Sequence, residues 1–182
     1  MLRALGLSII LLAALPMALA NEGRAESAEA LVNSAAAEIA ESEATEVADA
    51  VLSHIDATTI AYFTLGRYSG AISASDKHRF AEAFKQFLRR QIEANAHQFI
   101  GVDVAVIDTS ARGARDAIVT TQVRGKGTPM QVRWRVIERD GAWSVVDLEV
   151  AGVWLAIEQR AQVAAILSRP GANIDDVIAQ FG

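Results

Sequence analysis

Two repeats divide the chain. Beyond Gly101, apolar and polar residues alternate: Met130, Val132, Trp134 and Val136 interleave with Gln131, Arg133 and Arg135, and Val146, Leu148 and Val150 with Val145, Asp147 and Glu149. A period of two is that of a strand with one face buried. It predicts four strands, Val102–Thr109, Asp116–Arg124, Met130–Arg139 and Ala142–Val150. Ser110-Ala111-Arg112-Gly113, Gly125-Lys126-Gly127-Thr128-Pro129 and the Asp140-Gly141 hairpin signal separate them. Connections this short join neighbours, so an antiparallel meander is expected.

Elsewhere the repeat is helical. The clearest helix opens on a Ser73/Asp76 capping pattern and places Phe80, Phe84, Phe87, Leu88 and Ile92 on one stripe, with Lys77, Glu82, Lys85, Arg89 and Glu93 opposite. Before it, Asp56-Ala57-Thr58 offer capping oxygens to a short helix from about Thr58 to Leu65, stopped by Gly66. Ser27 to Ile55 reads as one long or two shorter, weakly amphipathic helices. After Gly152 a helix runs from about Leu155 to Ser168 and ends at Arg169-Pro170-Gly171, and Asn173 with Asp176 caps a last one bearing Ile174, Val177, Ile178 and Phe181. The sum is an α+β fold: a four-stranded antiparallel sheet with helices packed on one face, cone-like in outline.

The first 20 residues stand outside this plan. Arg3, the apolar run Leu5 to Leu15 and Ala18-Leu19-Ala20 have the form of a secretory signal peptide cleaved after Ala20. The apolar run is shorter than the ~20 residues a bilayer requires. Export makes the absence of cysteine informative, because residues 21–182 must then be held by burial alone. They read as one domain: an acidic Ala/Glu-rich helical segment, 21–55, and an α+β body, 56–182. Residues 21–56 carry nine acids against Arg24 alone, about −8, whereas 57–182 carry 13 acids against 15 Lys and Arg, about +2. No concentrated basic face exists, which argues against nucleic acid as a partner.

Chemistry is sparse. His54, His78 and His97 lack zinc-helix spacing, no nucleophile elbow is present, and without cysteine there is no thiol. Gly125-Lys126-Gly127 lacks phosphate-loop spacing and falls at a hairpin. Asp147, central in a strand, and the His54/Asp56 pair are the acid–base candidates for a small enzyme of isomerase or dehydratase type. More conspicuous is the apolar surface, which either fills itself or encloses a cavity.

Phe63-Thr-Leu-Gly-Arg-Tyr68, the Phe-rich helix, Val132-Arg-Trp-Arg-Val136, Val145-Val-Asp-Leu-Glu-Val-Ala-Gly-Val153 and a following helix with Arg160 together resemble the MlaC, or toluene-tolerance auxiliary, family. The resemblance covers about residues 56 to 182. It implies a periplasmic phospholipid-binding protein without enzymatic activity or cofactor. Its lipid would lie with acyl chains between sheet and helices and head group toward solvent. Its partners would be an outer-membrane lipoprotein complex and an inner-membrane ABC transporter with a membrane-anchored substrate-binding ring. On this reading the lipid wall comprises Phe63, Leu65, Tyr68, Phe80, Phe84, Phe87, Leu88 and Ile92 from the helices, facing Val132, Trp134, Val146 and Leu148 from the sheet. Arg67 and Arg160 are candidates for internal ion pairs. A carrier of hopanoid or another polycyclic lipid is the nearest alternative.

Overall fold

A computed structural model describes residues 15–181 except Lys126; residues 1–14, most of the expected leader, lie outside the described residues. The elements are α1 (Leu15–Glu41), α2 (Val47–Ser53), α3 (Ala57–Leu65), α4 (Ala74–Ala94), β1 (Asp103–Ala111), β2 (Asp116–Arg124), β3 (Met130–Arg139), β4 (Ala142–Val150), β5 (Val153–Trp154), α5 (Leu155–Leu167) and α6 (Ile174–Phe181). The helix starts are capped as expected. Asp56 accepts the Thr59 N–H at 2.9 Å, Ser73 accepts that of Asp76 at 3.1 Å, and Asn173 exchanges bonds with the first turn of α6.

The strands pair antiparallel in chain order, but there are five rather than four. The fifth follows from a second two-residue loop. Asp140 and Gly141 have φ of 51° and 82°, and Ala151 and Gly152 repeat this at 52° and 83°. Positive φ at both central positions matches the twist of the flanking strands and closes a hairpin. Alanine is a poor signal for that geometry, so the turn and the short strand after it are hidden in the sequence. Beside β5, the edge of β4 is covered by residues 54–56: the Asp56 N–H donates to the Val145 carbonyl at 3.0 Å, and the Val145 N–H to that of His54 at 2.9 Å.

A bulge breaks the expected alternation of β4. Val136 faces Val145 and Arg135 faces Asp147, leaving Val146 without a partner. Upstream of an extra residue, parity inverts. Val145 therefore joins Leu148 on the apolar side, while Val146 turns to the opposite side with Asp147.

Helices cover both faces of the sheet, correcting the one-face expectation. α1 lies on the apolar face, where Ala28 and Val32 pack with Ala117, Val119, Val136 and Val145. α3 and the start of α5 meet the other face near β4. A second core is purely helical: Ala61 and Leu65 of α3, Phe80 and Phe84 of α4, Val163 and Ile166 of α5, and Ile174, Val177 and Phe181 of α6. A third joins the end of α1 to α2 through Ile39, Val47 and Val51.

Candidate functional site

The apolar face is built from cross-strand rows. Val119, Trp134 and Leu148 stand in one row and Ala117, Val136 and Val145 in the next. Thr109 and Thr121 interrupt it, and the bonding of Thr121 is internal: its hydroxyl accepts the Trp134 indole N–H at 2.9 Å and donates to the Val132 carbonyl at 3.3 Å. Thr121 is fully buried and Trp134 is pinned by its only donor. The wall therefore offers a hydrocarbon ligand no unpaired polar atom from this pair. What rests on it is small: α1 presents Ala28, Leu31 and Val32, and its Glu29 accepts the Thr109 hydroxyl at 3.2 Å. At the far end of α1, Glu38 meets the His54 ring at 2.7 Å.

The opposite face is polar and internally paired. Arg133 binds Glu149 at 2.7 Å and lies over the Trp154 ring at 5.4 Å; Arg135 grips both oxygens of Asp116, at 2.8 and 3.3 Å; Arg139 binds Asp56 and Thr59. Between this face and α3 runs an open groove of about 440 Å³, with Ile60, Tyr62 and Phe63 on the helix side and Arg135, Ile137, Arg139, Val146 and Asp147 on the sheet side. Ala156 of α5 also lines it.

The twelve residues expected to form one lipid wall occupy several places. Phe80, Phe84 and Leu65 are buried in the helical core, with Phe87 and Leu88 packed against it. Phe181, not singled out from the sequence, is the hub there: its ring meets those of Phe80, Phe84 and Phe87 at 5.6, 5.5 and 4.9 Å. Ile92 packs on the α1–α2 core. Val132, Trp134 and Leu148 lie on the face beneath α1. Phe63 and Val146 line the groove, and Tyr68 borders a separate concavity of about 400 Å³ with Ile72 and Leu167. The Phe stripe thus faces other helices rather than the sheet, because periodicity names the buried side of a helix and not what buries it.

A family profile, described as MlaC protein, matches residues 25–182. The chain belongs to the MlaC family. Its fold is that of a solved structure, the phospholipid-binding protein from Ralstonia solanacearum in complex with a phospholipid. The two superpose with a TM-score of 0.72 at 19% identity, over 86% of this chain and 93% of that one. No curated protein matches the chain. Family and fold point to binding rather than catalysis.

Two pieces of the MlaC resemblance acquire physical reasons. Gly66 has φ 51°, and a Cβ there would stand 2.6 Å from Nε of Arg160, whose guanidinium lies over the Phe63 ring at 5.2 Å. Arg160 and Arg67 were candidates for ion pairs; among the described residues neither has a carboxylate within 4.0 Å, and Arg67 donates to the Tyr68 hydroxyl at 2.8 Å. Asp147, 8% exposed, uses one oxygen to accept the Leu148 and Ala156 N–H groups at 2.8 and 2.9 Å, tying β4 to the first turn of α5. Burial pushes its carboxyl above the usual range, opposed by those two bonds and by Arg135. Its geometry is that of a helix cap.

Proposed function

We propose that this chain is a periplasmic phospholipid carrier, moving lipid between an outer-membrane lipoprotein complex and an inner-membrane ABC transporter so as to maintain outer-membrane lipid asymmetry. The observation that carries this reading is the apolar sheet face beneath the Ala28, Leu31 and Val32 side chains of α1, with its buried indole and hydroxyl bonded to each other, on the fold of a phospholipid-binding protein. Two acyl chains with roughly 30 methylenes cost on the order of 24 kcal/mol to expose to water at about 0.8 kcal/mol each, so spontaneous transfer is very slow. A protein wall that replaces bilayer contact removes most of that barrier without chemistry of its own.

The same arithmetic constrains the wall. A cavity of ~1,000 Å³ standing empty, at about 24 cal/mol per Å³, would cost about as much again. That exceeds the ~5–15 kcal/mol by which a domain is stable. A carrier that holds and then releases its cargo must close between loads, and α1 is the element placed to do so. On this reading Val132, Trp134 and Leu148 touch acyl chains, and the aromatic residues of α4 hold up the frame.

The protein has no cysteine, which makes a clean test available. A Glu29→Cys/Thr109→Cys double variant should take up phospholipid from vesicles and, once bridged by a short bifunctional maleimide, lose most of that uptake. Native mass spectrometry of the wild-type protein from periplasm should show a two-tailed phospholipid. A polycyclic lipid would instead support the alternative carrier, and protein that stays empty after incubation with vesicles would refute both.

A further inference from the structure

The groove takes up Phe63 and Val146 of the expected lipid wall but lies across the sheet from Val132, Trp134 and Leu148, and we infer that it receives an amphipathic helix of a partner protein, apolar residues inward and carboxylates at its flanks. Soluble proteins seldom leave several large apolar side chains exposed around one concavity. Here Tyr62 and Phe63 line it from α3, 38% and 39% exposed, and Ala156 lines it from α5. The two helices are locked together beneath these residues by Leu65, Val163 and Ile166, so the surface is rigid.

Charge at the mouth selects the partner. Arg160, displayed over Phe63, has no carboxylate within 4.0 Å among the described residues, whereas Arg139, 55% exposed, is paired with Asp56 and Arg135 with Asp116. The acid in the groove, Asp147, is buried and engaged with backbone N–H groups. Glu158 lies about 200° around α5 from Ala156, away from the groove, and meets Gln162 at 3.4 Å. Arg160 is thus the charge at the mouth left without a carboxylate among the described residues, and aromatic side chains with arginine are the composition of binding surfaces.

Shape selects the form. An extended peptide adding as a strand needs free backbone groups, but the β4 edge beside the groove is taken by residues 54–56 and by β5. A bilayer meets what protrudes, whereas Ile137 and Val146 line a recess that only a projecting knob reaches. A helix with anchors at i, i+3, i+4 and i+7 supplies such knobs.

The test is a display library of amphipathic helices with fixed apolar positions and randomised flanks, selected on the whole protein and, in parallel, on a Tyr62→Ser/Arg160→Glu variant. Both substitutions fall on exposed positions, and vesicle lipid uptake by the variant serves as its folding control and reports the carrier function separately. Enrichment of Glu/Asp-flanked helices on the wild type, with at least tenfold weaker binding to the variant and nuclear magnetic resonance shifts centred on Phe63, Ile137 and Ala156, is the expected result. No enrichment, enrichment of Lys/Arg-flanked helices, equal binding to the variant, or displacement of selected helices by anionic phosphatidylglycerol vesicles would overturn it.

Discussion

Gly66 and Asp147 show how single positions carry this fold. A methyl group at Gly66 would meet the Arg160 side chain and also force an L-residue into a region that only glycine enters freely. Gly66→Ala should destabilise the protein by roughly 1–3 kcal/mol, and an added Arg160→Ala should recover only the steric part, measurable by urea unfolding of both variants. Asp147 has a distinct signature because its folded carboxyl titrates above the unfolded one. The native state then binds more protons than the unfolded state between those two values, so its contribution is most favourable below the unfolded value and declines as pH rises through the folded one. Asp147→Asn keeps the acceptor and loses the charge. Relative to wild type, the variant should gain stability as pH rises through the folded carboxyl's titration, read from thermal midpoints from acid to neutral pH; a constant difference would mean that burial of the charge is fully compensated.

At the scale of elements, α4 is the most instructive. Its stripe was legible from the spacing of Phe80, Phe84 and Phe87, and so was its cap at Ser73. Its partner was not, since the same stripe fits a sheet, a helix pair or a cavity equally well. Phe84, 1% exposed among three other aromatic rings, is core. Phe84→Ala should therefore cost about 3–5 kcal/mol in unfolding free energy while the protein that remains folded takes up lipid as before. The strands β2, β3 and β4 were readable to their ends because alternation and turn residues agree there. The bulge at Val146 was not, because an extra residue inside an apolar run leaves no mark in hydropathy, and it reassigned Val145 and Val146 to opposite faces. Likewise α1 read as a weakly amphipathic, acidic helix, yet its alanines are what permits close approach to the sheet: Ala28 and Ala35 are fully buried.

For the whole molecule, the division of labour between the two sheet faces was hidden while the fold class was plain. An apolar wall under α1 and an arginine-paired face under α3 and α5 look alike in composition until parity and bulges are known. Among the described residues no helix is long and apolar enough to cross a membrane; the apolar surfaces are those of the sheet beneath α1 and of the helical core. Those surfaces carry a risk. Polypeptide that periodically bares hydrocarbon-binding surface is prone to stack with its neighbours into cross-β fibrils, and a sheet border is where such stacking starts. One border here is already occupied along β4 by residues 54–56 and β5. The other, β1, is kinked where its pairing with β2 shifts between Val106 and Asp108. A second molecule laid alongside would lose register at that kink, so both borders of the sheet oppose edge-to-edge pairing with a copy of the same chain.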